Sequence, residues 1–221
     1  MSVVRVNQIQ DTSTNVAANI SGGVVTFTNP PVGVTVPIPY RVLLQTHNIS
    51  DGDQTATIGS SSTITSAYSI YEIEASEIRV NTNGQNVHGR IATNGTINQS
   101  TIYDSLRVRM YGGSASVSGY NYNNQIAIPF AIGESMSNSG IYYSQSFIRL
   151  YNPLSTSGIK MIHFDSMYSD LSPNWGFIEQ RARIESSSII VNGLTIYCGH
   201  GSNWSPTGTF KSGQMKLYGV N

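Results

Sequence analysis

Leu106-Arg107-Val108-Arg109-Met110-Tyr111, followed at once by Gly112-Gly113, sets the reading of the whole chain. Apolar and polar side chains alternate with period two, and the two glycines offer the positive-φ positions of a tight turn. Leu106, Val108 and Met110 share one face of such a strand, and Arg107, Arg109 and Tyr111 share the other. Gln145–Tyr151 repeats the pattern, with Phe147 and Arg149 on opposite parity to Ile148 and Leu150. Strands of this kind bury one face and wet the other, as antiparallel sheets do.

The same period recurs along the chain. Strands are expected at Val3–Val6, Val24–Thr28, Tyr40–Gln45, Tyr68–Glu74, Glu77–Asn81, Val87–Ala92 and Gln125–Phe130. Others are expected at Gly158–Phe164, Gly176–Ile184, Ser188–Val191, Leu194–Cys198 and Gln214–Tyr218. Turn chemistry separates them: Asp51-Gly52-Asp53, Asn83-Gly84, Asn94-Gly95, Ser139-Gly140, Ser157-Gly158 and Asn192-Gly193. The best helix candidate, Asn174–Glu185, loses to a strand because Arg181, Arg183 and Glu185 alternate with Ala182 and Ile184. The expected fold is all-β, an antiparallel β-sandwich of jelly-roll-like form preceded by an extended N-terminal arm.

Composition agrees. Charged residues are 11% of the 221, and twelve basic residues balance twelve acidic ones. So weak a field argues against a nucleic-acid partner. Ser, Thr, Asn and Gly together supply 89 residues, so hydroxyls and amides rather than ions solvate the surface. These residues, with Val, Ile and Tyr, favour turns and pleated sheets over helices. The single cysteine, Cys198, rules out an internal disulfide. The opening residues lack a signal-peptide apolar core, and no run is long enough for a spanning helix, so membrane insertion is not expected.

Residues 1–39 differ from the rest. Large apolar groups are few, and Pro30, Pro31, Pro37 and Pro39 punctuate the last ten positions. Proline lacks the ladder donor, so this stretch reads as a stiff linker. The boundary falls between an arm and Pro-rich linker, residues 1–39, and a sandwich domain, residues 40–221. An arm with little core of its own takes its order from a neighbour. Its apolar side chains Val4, Val6 and Ile9 are the expected attachment contacts.

No catalytic residue, cofactor or metal is expected. His163-Phe164-Asp165 places an imidazole and a carboxylate on one strand face, but no third metal ligand follows in an obvious pattern. Cys198 and His200 lie two apart without an orienting third group, so Cys198 reads as a small apolar residue. Glu72 and Glu74 share a strand face roughly 7 Å apart, compatible with glycoside hydrolysis, though a solvated strand face explains them better. Arg79, Arg90, Arg107 and Arg109 could line a basic strip. Tyr and Asn gather in apparent loops, including Tyr120-Asn121-Tyr122-Asn123-Asn124, Tyr142-Tyr143, Tyr168 and Asn203-Trp204. Tyrosine gives a rigid amphipathic contact, so Tyr120, Tyr122 and Trp204 are the candidate surface-binding residues.

Two stretches carry a resemblance to a known group. Val4-Arg5-Val6-Asn7-Gln8-Ile9-Gln10-Asp11-Thr12-Ser13 resembles the opening of many phage appendage proteins, with Arg5 and Asn7 at variable points. Gly208–Val220, ending Leu217-Tyr218-Gly219-Val220, is similar to the closing strand of phage virion sandwich domains, with extra residues between Thr209 and Leu217. Together they cover roughly a tenth of the chain. The resemblance, to tailed-phage virion proteins of the cyanophage and marine-phage type, implies a structural protein of the virion and commonly a homotrimer. Its partners would be other virion proteins and, for a tail fibre or receptor-binding appendage, a host surface glycan or protein. A capsid decoration (cement) protein is the alternative, and a glycan depolymerase acting through Glu72 and Glu74 comes third.

Overall fold

The computed structural model describes residues 8–10, 16–21, 24–27, 40–97, 103–111, 114–120, 130–136, 138, 144–169, 175–184, 188–199 and 206–220. The chain divides into two units, Met1–Ile38 and Pro39–Asn221. In the first, β1 (Gln8–Gln10), β2 (Val16–Ser21) and β3 (Val24–Phe27) are extended and pair antiparallel in that order. This unit therefore carries a small sheet of its own. Ile9 sits in β1 opposite Ala18, whereas Val4 and Val6 lie outside the described residues.

The second unit contains β4 (Arg41–Ile49), β5 (Thr55–Ile58), β6 (Ile70–Val80), β7 (Gln85–Thr93), β8 (Thr96–Ile97), β9 (Tyr103–Tyr111) and β10 (Ser114–Tyr120). It continues with β11 (Phe130–Met136), β12 (Ser144–Tyr151), β13 (Lys160–Ser169), β14 (Trp175–Ile184), β15 (Gly193–Gly199) and β16 (Phe210–Val220). Eight of these form one sheet in the order β10-β9-β14-β13-β12-β6-β16-β4. Five form a second, β11-β7-β15-β5 with β8 paired to β7. Every pairing is antiparallel. The sheets approach where β11 meets β12, β13 and β14 and where β5 meets β4 and β16. The result is an antiparallel β-sandwich. Among the described residues no helix is long and apolar enough to cross a membrane.

Turn residues do two different jobs. Asn94-Gly95 closes the β7–β8 hairpin with both φ angles positive, +51° and +76°, the mirror-image turn that matches strand twist. Asp51-Gly52-Asp53 is not a hairpin. It passes the chain from β4 in the larger sheet to β5 in the smaller, fixed by Ser50 N donating to Asp53 Oδ2 at 2.8 Å. Asn83-Gly84 makes the same passage from β6 to β7.

The core lies between the sheets. Ile73, Ile78, Val80, Phe164, Ile178, Phe210 and Leu217 come from the larger sheet. Ile58, Val87, Ile91, Leu194, Ile196 and Cys198 come from the smaller. Each large apolar side chain so buried contributes about 1.5–3 kcal/mol. β12 follows its sequence pattern, alternating buried Ser146, Ile148 and Leu150 with exposed Phe147 and Arg149. β15 does not, since every one of its residues is buried. Leu194, Ile196 and Cys198 join the core, while Thr195 and Tyr197 pair with Arg90 and His88 of β7 on the other face.

Several expectations need correction. Ser188–Val191 is a turn and irregular chain rather than a strand. β1, β2, β5, β8 and β10 carry no strand expectation, being short or rich in Ser, Thr and Ala, and β11 meets one only at Phe130; the expected strand Val3–Val6 and the rest of Gln125–Phe130 lie outside the described residues. β9 is inverted. Arg107 and Arg109 pair with buried Gln180 and Ile178 on the inner side, while Leu106 and Met110 are about half exposed outside. The basic strip is not formed: Arg79 lies on β6, Arg107 and Arg109 on β9, and Arg90 fully buried on β7 of the other sheet. Tyr168 is a buried strand residue, not a loop tyrosine.

Candidate functional site

The outer face of the eight-stranded sheet carries the chemistry. Its register places side chains in rows across the strands, because directly opposed residues in an antiparallel pair share a face. One row reads Leu106, Arg181, His163, Arg149, Glu72, Tyr218, Leu43 from β9 to β4. The next reads Val108, Glu179, Asp165, Phe147, Glu74, Lys216, Thr46. A third, Met110, Phe177, Met167, Gln145, is almost wholly apolar. Charge runs along both of the first two rows and along a further one that holds Arg183 and Arg41, beside exposed Met110, Met161, Met167 and Trp175.

Glu72 and Glu74 occupy one end. Arg149 Nε donates to Glu72 Oε1 at 2.6 Å, and Arg41 Nε lies 2.9 Å from Glu72 Oε2. Arg41 Nη1 donates to Glu74 Oε1 at 2.7 Å, and Tyr218 OH donates to Glu74 Oε2 at 3.1 Å. The Arg41 guanidinium also stacks 3.6 Å above the Tyr218 ring centroid. Glu72 therefore meets two guanidinium groups, and Glu74 one guanidinium and one phenol. Charge-assisted bonds of this kind fix the side chains in place. Hydrogen bonding to Glu72 raises Arg149 above the ordinary arginine range, outweighing burial. Both oxygens of each carboxylate thus already have a partner.

A second cluster sits beside it. His163 and Asp165 share the outer face of β13, and Glu179 of β14 stands opposite Asp165. His163 Nε2 lies 3.1 Å from the Asp165 carboxylate. Arg181 reaches over from its place opposite His163: Nη2 is 2.7 Å from Glu179 Oε1 and Nη1 is 3.7 Å from Asp165 Oδ1. Burial pushes the His163 pKa below its usual value; the Asp165 charge opposes that shift and Arg181 adds to it. Two shallow cavities flank Asp165 and Phe147, about 360 Å³ towards Arg41 and Glu72 and about 400 Å³ towards Phe177 and Arg181.

Sequence reading found half of this second cluster. His163 and Asp165 are visible as an i, i+2 pair; Glu179 is not, because only the β13–β14 register brings it opposite. Arg41, 31 positions before Glu72, gives no local signal at all. The surface-binding candidates are not brought together here. Tyr120 ends β10, opposite Ser105 of β9, while Tyr122 and Trp204 lie outside the described residues. Cys198 is fully buried, and burial pushes its thiol up to about 12, which suits an inert core residue.

The fold thus defines an antiparallel β-sandwich with one chemically mixed, outward-facing sheet. No protein-family model, no curated protein and no solved structure matches the chain.

Proposed function

We propose that this chain is a structural component of a tailed-phage virion, a tail-fibre or receptor-binding appendage attached through residues 1–39. The observation that carries the reading is the outer face of the larger sheet. Leu106, Met110, Phe147, Met161, Met167 and Trp175 are each roughly half exposed there. Met110, Phe177 and Met167 adjoin across three strands, and exposed apolar groups gathered in this way mark contact surfaces. Met, aromatic and Arg side chains are the residues enriched at protein–protein contacts. Such a face suits a protein that acts by contact. The opening and closing stretches support the particle context, and the homotrimer that resemblance implies would set sister copies against the apolar edge of this face and leave its charged rows in water. Loops would then meet a host glycan or protein.

Light scattering on the purified chain should report three times the 24.0 kDa chain mass, and a monomer would sink the trimer. Deleting residues 1–23 should abolish incorporation into particles while the sandwich keeps its β circular-dichroism signature. Normal incorporation of the truncated chain would refute attachment by the arm. Imaging of intact particles should place the protein on the tail; regular density on the head lattice would assign it instead to capsid decoration.

A further inference from the structure

We propose that His163, Asp165 and Glu179 form a binding site for one divalent transition-metal cation of the zinc type, spanning β13 and β14. The inference does not depend on the virion reading. Two donors come from one strand face and the third from the facing position on its neighbour, so the sheet itself sets their spacing. One donor atom from each residue lies within 4.8 Å of the other two. Donors bound to one tetrahedral zinc at about 2 Å stand about 3.3 Å apart. His163 Nε2 and the Asp165 carboxylate are already 3.1 Å apart. Only Glu179 has to close, and its 40% exposed side chain can turn once its ion pair with Arg181 opens.

Donor type selects the cation. Imidazole nitrogen suits zinc, nickel and copper, whereas calcium and magnesium prefer all-oxygen shells. Two carboxylates and one imidazole leave a coordination position, which the cavities beside Asp165 open to water. Arg181 holds the countercharge in the metal-free state, 2.7 Å from Glu179 and 3.7 Å from Asp165. Its side chain is 43% exposed, so a bound cation can displace it into solvent. Metal and guanidinium therefore compete for the same two carboxylates.

Zinc titration of the full chain by calorimetry at neutral pH tests this. One equivalent should bind with micromolar or tighter affinity, while magnesium and calcium at the same concentrations should not. His163→Ala and Glu179→Gln should each weaken zinc by at least about ten-fold. Arg181→Gln should tighten it several-fold, because the competing cation is gone. Absence of one-to-one zinc binding by the wild-type chain would overturn the site, as would unchanged affinity in His163→Ala or in Arg181→Gln. Should a variant misfold, NMR of the wild-type histidine rings decides. Movement of the His163 resonances on zinc addition supports the site, and movement of another histidine with His163 still overturns it.

Discussion

At Gly176 the absence of a side chain is a packing requirement. The residue pairs with Tyr168 across β13 and β14, and the tyrosine ring lies over the glycine backbone. A Cβ placed there would stand 2.2 Å from Tyr168 Cζ. Tyr168 is fully buried, so its ring has no free volume to retreat into. Gly176→Ala should therefore destabilise the sandwich by about 1–3 kcal/mol, the usual penalty of overpacking. Urea unfolding would measure it, and a change below 0.5 kcal/mol, roughly the scatter of surface substitutions, would show that the ring moves freely. Gly219 likewise lies against the ring of Tyr68, which belongs to the irregular chain before β6 rather than to a facing strand. Part of the Gly and Tyr content thus serves close packing of rings on backbone.

At the level of the element, β6 is the instructive strand. Its sequence reads as two strands, Tyr68–Glu74 and Glu77–Asn81, because the apolar parity changes between them. Tyr71, Ile73 and Ala75 are buried on one parity, then Ile78 and Val80 on the other. The structure keeps one strand and absorbs the change in an irregularity around Ser76 and Glu77, where the register with β12 and β16 shifts. Glu77 takes φ +53°, a left-handed conformation that favours glycine, and its side chain is exposed. Glu77→Gly should be neutral or stabilising by up to about 1 kcal/mol, as relief of backbone strain offsets the added freedom of the unfolded chain. Glu77→Val should instead lose about 1–2 kcal/mol, since β-branching fits that region worst. Thermal melts of both variants check the pair, and a large loss in Glu77→Gly would mean that the carboxylate holds a contact.

For the whole molecule, pH response follows from burial in the smaller sheet. Cys198 and Tyr197 both have raised pKa values, in each case chiefly through desolvation, with Arg90 opposing the shift at Tyr197. A raised acid pKa means that the folded chain keeps its proton longer than the unfolded one. Below the ordinary thiol value, near pH 9, both states hold the proton and Cys198 adds no slope. Between there and about 12 the unfolded chain ionises first, so stability falls as pH rises. The loss should be on the order of 1 kcal/mol per pH unit from this group. Urea midpoints measured from pH 8 to 10.5 should fall, and less steeply in Cys198→Ala. An identical slope in that variant would assign the alkaline loss to other groups.

Local pattern is enough to make this a chain of antiparallel strands. Period-two patterning and turn residues are local properties, and the all-β outcome follows wherever they recur, as at Gln145–Tyr151 and at Asn94-Gly95. Which face of a strand is buried, and which side chains meet, was decided only in three dimensions. Leu106 and Met110 turn outward because β9 takes its facing from its register with β14, not from its own apolar count. Glu179 joins His163 and Asp165, and Arg41 joins Glu72, for the same reason. A strand's pattern states only that its two faces differ. Its neighbours in the sheet supply the rest, because cross-strand hydrogen bonds bring together residues that are far apart in the chain.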